Sequence, residues 1–128
     1  MTKTHKEIID LLDVIDSEHT VILMWAKEIV DDIAQQKTPQ YISDKAFSFK
    51  DFLLEHILKE DAELYPFLPR SAEVQAEMKK LHNIYADLEE FFMSTPDKIV
   101  AKFEDVAPKI ISRIEYEQVM LKELVKEQ

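Results

Sequence analysis

Residues 49–67 read FKDFLLEHILKEDAELYPF, and the spacing of their apolar side chains predicts a helix. Phe49 and Leu53 are four residues apart, and the series resumes with Leu64 and Phe67, three residues apart. In a helix with 3.6 residues per turn, these positions lie on one face, which a folded chain buries. The gap between Leu53 and Leu64 carries ionisable side chains on the same face, which is unusual for a core position.

Apolar residues recur at helical spacing along the whole chain, and proline-containing joints divide it. The joints are Thr38-Pro39, the stretch from Pro66 to Ser71, and Thr95-Pro96. At the first and third joints, threonine can cap a helix whose first residue is proline, and at the second joint Ser71 is the expected cap. We therefore expect four helices, at about residues 4–36, 40–67, 72–93 and 97–127.

The composition and the short joints predict the fold class. The chain has no glycine, which argues against tight hairpins and against phosphate-binding loops. Short joints favour antiparallel neighbours, so the sequence predicts an all-α, up-down-up-down antiparallel four-helix bundle that forms a single domain over residues 1–128. Pro108 lies inside the fourth segment, where we expect it to kink the helix or to separate a short first piece.

Charge and cysteine content argue against several classes of function. Lys and Arg total 16 against 26 Asp and Glu, a net charge of -10, which disfavours binding to nucleic acid or to anionic membranes. The absence of cysteine excludes disulfides, zinc-thiolate sites and cysteine-held iron-sulfur centres. Residues 1–10 do not resemble a signal peptide, and no apolar run approaches the ~20 residues of a membrane span. We expect a cytoplasmic protein.

Five ionisable residues interrupt or border the apolar faces near the middle of the predicted helices. They are His19, His56, Glu60, His82 and Glu117. A single histidine on such a face is most often a hydrogen-bonded core residue, and a single glutamate most often reaches water at the edge. Together, at matched depth on four helices, imidazole and carboxylate groups suit an iron, manganese or zinc ion. His5 is about 21 Å along the helix from His19, so we place it at the end of the bundle.

The segment from His56 to Leu68 closely resembles the His-x-x-x-Glu motif of hemerythrin-like cation-binding domains, including its Leu-Tyr-Pro ending. Glu18-His19 and Leu81-His82 resemble the ligand positions of that family in the first and third helices. The resemblance covers nearly the whole chain and implies non-haem iron, as one or two ions. It also implies a protein that binds or senses dioxygen or a related small ligand, and a binding protein more than an enzyme.

The fourth helix departs from the pattern of this family, because Arg113 stands four residues before Glu117, where the motif has histidine. The third helix likewise lacks a second histidine near His82. Arginine cannot ligate a metal, since its guanidinium has no lone pair to offer. Arg113 can neutralise Glu60 and Glu117 in a metal-free bundle that acts as a regulatory or interaction module, with a protein partner that the sequence does not identify.

Alternatively, Arg113 points towards solvent and leaves an asymmetric di-iron site or a mononuclear site with open positions. Tyr85 or Glu115 is then a further candidate to assist the metal.

Overall fold

The protein is described by a computed structural model that covers residues 3–126, apart from the side chain of Ser71. Its long helices are α1 (His5–Ala34), α2 (Pro39–Lys59), α3 (Ser71–Glu89) and α4 (Pro96–Lys126). No residue between 3 and 126 lies in a β-strand, so the predictions of an all-α fold and of four helices are confirmed. The predicted end of the fourth helix, at residue 127, lies outside the described residues.

The first two helices begin where side-chain caps are available. The Thr4 hydroxyl accepts a hydrogen bond from the Glu7 backbone N–H at 3.1 Å, and the Glu7 carboxylate accepts one from the Thr4 N–H at 3.3 Å. This reciprocal pair is a capping box. Thr38 caps α2 by accepting from the Tyr41 N–H at 3.3 Å, with Pro39 as the first helical residue, as predicted.

The start of α3 differs from the prediction that Ser71 caps it. Ser71 is the first residue of the helix, and Arg70 precedes it in the left-handed conformation, with φ of 54°. A residue in the left-handed conformation turns the chain sharply. The helix therefore begins at Ser71 and not at residue 72, where a helix capped by Ser71 would begin.

Pro108 does not divide α4, which is continuous from Pro96 to Lys126. Proline removes one backbone hydrogen bond and crowds the carbonyl four residues earlier, here that of Glu104. Both Pro108 and Glu104 lie on the exposed side of the helix, where water can hydrate the freed carbonyl. The prediction of a separate first piece was therefore wrong.

The four helices pack into a bundle around one apolar core. α4 contacts α1, α2 and α3, while α2 also contacts α1 and α3. The predicted apolar faces point inward, and the rings of Phe49 on α2 and Phe103 on α4 meet edge to face at 5.5 Å between centroids. Across residues 3–126, no helix is both long enough and apolar enough to cross a membrane.

The predicted second helix changes its geometry at Glu60. α2 ends at Lys59, a π-helical turn follows at Glu60–Leu64, and a 3-10 turn follows at Tyr65–Phe67. Pro66 has no backbone N–H and cannot continue an α-helical ladder. The backbone N–H of Tyr65 donates instead to the Glu60 carbonyl, five residues earlier. Single π turns inside helices are frequent at functional sites, and this one begins at a predicted site residue.

Candidate metal centre

Three predicted site residues converge in the bundle core. His19 comes from α1, His56 from the end of α2, and Glu60 from the first position of the π turn, and all three are buried. His19 Nε2 lies 3.3 Å from Glu60 Oε2, and His56 Nε2 lies 3.0 Å from Glu60 Oε1. One ligand atom from each residue lies within 4.8 Å of the other two. The structure thus brings together a group that can hold a metal ion.

Neither of these close contacts has the geometry of a hydrogen bond. Among the described residues, both Nε2 atoms and both Glu60 oxygens lack a hydrogen-bond partner. Buried polar atoms are nearly always paired, so four unpaired ones at one place call for an explanation. Ligands held about 2.1 Å from one ion in tetrahedral or octahedral geometry lie about 3.0–3.4 Å from each other. The separations of 3.0 and 3.3 Å lie in that range, although each is measured to a different oxygen of Glu60.

Glu18 fixes the orientation of His56. The Nδ1–H of His56 donates to Glu18 Oε1 at 2.8 Å, which leaves the Nε2 lone pair facing Glu60. Lys59 forms an ion pair with the other oxygen of Glu18. Burial raises the pKa of Glu18, but the hydrogen bonds from Lys59 and His56 outweigh it and leave that pKa lowered. A carboxylate that holds a histidine in this way is typical of metal sites.

The two imidazoles affect the pKa of Glu60 in the metal-free cluster. Burial alone would raise the pKa of Glu60, but His19 and His56 outweigh burial and lower it. Burial likewise opposes protonation of His56, yet Glu60 and Glu18 leave the pKa of His56 raised. The imidazoles therefore favour the charged carboxylate of Glu60, and the two carboxylates make His56 easier to protonate.

Glu117 is fully buried but has different neighbours. Arg113 Nε donates to Glu117 Oε2 at 3.4 Å, and Arg113 Nη2 donates to Glu77 Oε2 on α3 at 2.9 Å. The guanidinium carbon lies 4.5 Å from the ring centroid of Tyr116. Burial, with the nearby charge of Glu60, raises the pKa of Glu117 well above its usual value, and Arg113 offsets only part of this. Arg113 therefore points inward and pairs with Glu117 and Glu77.

His82 lies outside the buried group. Its side chain is 34% exposed, and its Nε2 lies 3.1 Å from Asp61 Oδ2. The preceding residue, Leu81, fills the inward position on α3, and one residue corresponds to about 100° of helical rotation. The structure does not bring His82 together with His19 and Glu60, and its role as a metal ligand stays a prediction, as does that of Glu117.

The other candidates lie apart from the cluster. His5 and Glu115 are exposed on the surface. Tyr85 is buried, and its pKa is raised to about 12 by burial and by Glu89.

Tyr65 is a residue of this site that the sequence did not single out. It is fully buried, and its hydroxyl lacks a hydrogen-bond partner within the part of the chain that the structure describes. Burial and the charges of Glu60 and Glu117 raise its pKa well above the usual value. In an α-helix, a residue five positions after Glu60 would be rotated by about 140°, so only the π turn gives Tyr65 this place.

Comparison with protein-family models, with curated proteins and with solved structures found no match to this chain. The resemblance to hemerythrin-like domains therefore rests on the quoted sequence motifs. The structure adds an all-helical bundle with a buried group of two histidines and one glutamate that can hold a metal.

Proposed function

We propose that this protein is a hemerythrin-like metal-binding bundle that holds a metal ion at His19, His56 and Glu60. The observation that carries the proposal is the convergence of two imidazole nitrogens and one carboxylate in a buried position without hydrogen bonding among the described residues. Iron is the metal that the sequence resemblance implies. The proposal includes an up-down-up-down antiparallel order of the helices, a single domain and a cytoplasmic location.

The donor set supports this assignment by its chemistry. Neutral imidazole and carboxylate ligands suit iron, manganese and zinc. Three protein donors leave at least one coordination position for an exogenous ligand. Since His19, His56 and Glu60 are all buried, a ligand that reaches this position must be small, as dioxygen is. We therefore propose binding or sensing of dioxygen or a related small molecule, rather than catalysis on a larger substrate.

Metal analysis of wild-type protein and of two matched variants tests the proposal. We expect His56→Ala to lose bound iron, because it removes one of three donors. His5→Ala removes an exposed histidine from the same molecule and should retain the wild-type iron content. The measurement is iron per chain after loading with Fe²⁺ and removal of the excess, with helix content followed by circular dichroism. Full iron retention in a folded His56→Ala variant would contradict the proposal.

The pairing of Arg113 with Glu117 favours a second candidate function. Arginine keeps its charge at all ordinary pH values, so it can offset a buried carboxylate without any metal. The alternative is a metal-free bundle that acts as a regulatory or interaction module. A wild-type protein that is folded and binds no iron under the loading conditions above would favour this alternative.

A further inference from the structure

Arg113 makes three contacts in a partly buried position beside the candidate metal centre. Its side chain is 11% exposed and donates to two carboxylates, at 3.4 Å to Glu117 and at 2.9 Å to Glu77. The flat guanidinium also lies over the ring of Tyr116. These three contacts come from α3 and from two positions of α4, so they fix the cation on the Glu117 side of the core.

We propose that the guanidinium of Arg113 takes the place of a second metal ion beside Glu117, so that the core holds one ion and not a pair. This inference rests on the proposed function, because it presupposes a metal at His19, His56 and Glu60. It assigns Arg113 a role that determines the number of ions bound, without direct contact with the metal.

The donors left for a second ion are too few. One oxygen of Glu117 pairs with Arg113, and the other is buried without a hydrogen-bond partner among residues 3–126. The imidazole of His82 lies 3.1 Å from Asp61 and does not belong to the group of converging ligand atoms. Within the described residues, His19, His56 and Glu60 form the single group whose ligand atoms converge closely enough for a metal.

Electrostatic repulsion also disfavours a second metal ion beside Glu117. A second divalent cation next to Glu117 would lie beside a guanidinium that cannot lose its proton. Repulsion between like charges is strongest where water is excluded, and Glu117 is fully buried. A second ion would therefore have to displace Arg113 from both Glu117 and Glu77.

The number of ions bound by the wild-type chain is the direct test. Metal-free protein is loaded with Fe²⁺ without oxygen, excess iron is removed, and iron per chain is measured. A variant that carries both His19→Ala and His56→Ala gives the background from the acidic surface. We expect one ion per chain above this background. Two ions would overturn the inference and leave the proposed function standing, whereas no ion would overturn the proposed function and the inference with it.

Substitution of Arg113 tests whether this residue sets the limit. Arg113→His places an imidazole four residues before Glu117, the same offset that separates His56 from Glu60. We expect its iron content to rise from one towards two ions per chain. Arg113→Lys is the matched control, since it keeps the positive charge and should stay at one ion. An Arg113→His variant that folds and still binds one ion would overturn the role of Arg113.

A spectroscopic measurement on the wild-type chain does not depend on the folding of any variant. Mn²⁺ is loaded in place of Fe²⁺ and examined by electron paramagnetic resonance. We expect the spectrum of a magnetically isolated ion. An exchange-coupled pair of ions would overturn the inference.

Discussion

Glu60 and Glu117 are both fully buried, and each lies four residues after a nitrogen-bearing side chain, yet their surroundings are opposite. Glu60 faces the imidazoles of His19 and His56, at 3.3 and 3.0 Å, whereas Glu117 faces the guanidinium of Arg113 at 3.4 Å. Burial raises the pKa of both carboxyls. The imidazoles reverse that effect at Glu60, while at Glu117 the charge of Glu60 adds to it.

The two sides share the same four-residue offset before a glutamate, but histidine and arginine at the first position give them different chemistry. Imidazole can lose its proton and offer a lone pair, so His56 can be a counter-ion to Glu60 without metal and a ligand with it. Guanidinium can only be a counter-ion. On the Glu60 side, His56 can therefore lose a proton and bind a metal ion. On the Glu117 side, Arg113 is a permanent cation.

The largest expected effect comes from removing that permanent cation. Arg113→Met keeps much of the side-chain volume but leaves Glu117 buried without its partner. Breaking a buried ion pair commonly costs about 3–5 kcal/mol, and because Glu117 can take up a proton we expect the low end, about 3 kcal/mol. Urea unfolding of the metal-free protein at neutral pH measures this loss.

Two further variants make the result specific to the pair. Lys109→Met removes an exposed cation one turn earlier on α4 and should change stability by less than about 0.5 kcal/mol. In a Glu117→Gln background, Arg113→Met should cost clearly less than in the wild type, because the buried charge is already absent. Equal costs in both backgrounds would show that Arg113 stabilises the bundle in some other way.

A smaller effect is expected on the Glu60 side, from the carboxylate behind His56. Glu18→Gln leaves an acceptor for the His56 Nδ1–H but removes the negative charge that orients the ring and pairs with Lys59. Substitutions of such outer carboxylates typically weaken metal binding about 10–100-fold. Competition with a chelator of known affinity measures the change. Glu115→Gln, on the exposed face of α4, is the control, and identical affinities in both variants would contradict this role for Glu18.

The helices and their caps could be predicted because the signals that specify them are local. Apolar spacing of three and four residues and the Thr-Pro pair at residues 38–39 depend on neighbouring sequence alone, and the structure places the start of α2 accordingly. The π turn could not be predicted in this way. Pro66 indicates where the α-helical hydrogen bonding must end but does not select the turn that replaces it, and this π turn decides that Tyr65 lies near Glu60.

The three central residues of the candidate site could be predicted from local sequence, as the helices could. His19, His56 and Glu60 occupy inward positions of apolar helical faces, so helical phase alone brought them to the same interior. The partners of His82 and Arg113 depend on contacts between different helices. Asp61 in the π turn contacts His82 on α3, and Glu77 on α3 pairs with Arg113 of α4. Sequence spacing left both orientations open.

A further effect concerns the pH dependence of stability in the metal-free protein, where Glu60 and Glu117 should act with opposite sign. The folded state lowers the pKa of Glu60, so its stabilising contribution is present above about pH 4.5 and is lost as pH falls through its folded pKa. The folded state raises the pKa of Glu117, so stability falls as pH rises above about 4.5 towards that higher pKa.

Glu117→Gln should therefore flatten the decline in unfolding free energy between about pH 5 and pH 7, by at most about 1.4 kcal/mol per pH unit. Glu60→Gln removes a charge that raises the pKa of Glu117, so it should weaken that decline, and it should also remove part of the acid-side loss. Urea unfolding at several pH values measures both slopes. If Glu117→Gln kept the wild-type slope, Glu117 would already be ionised beside Arg113 throughout this range, and the two buried carboxylates would be electrostatically alike.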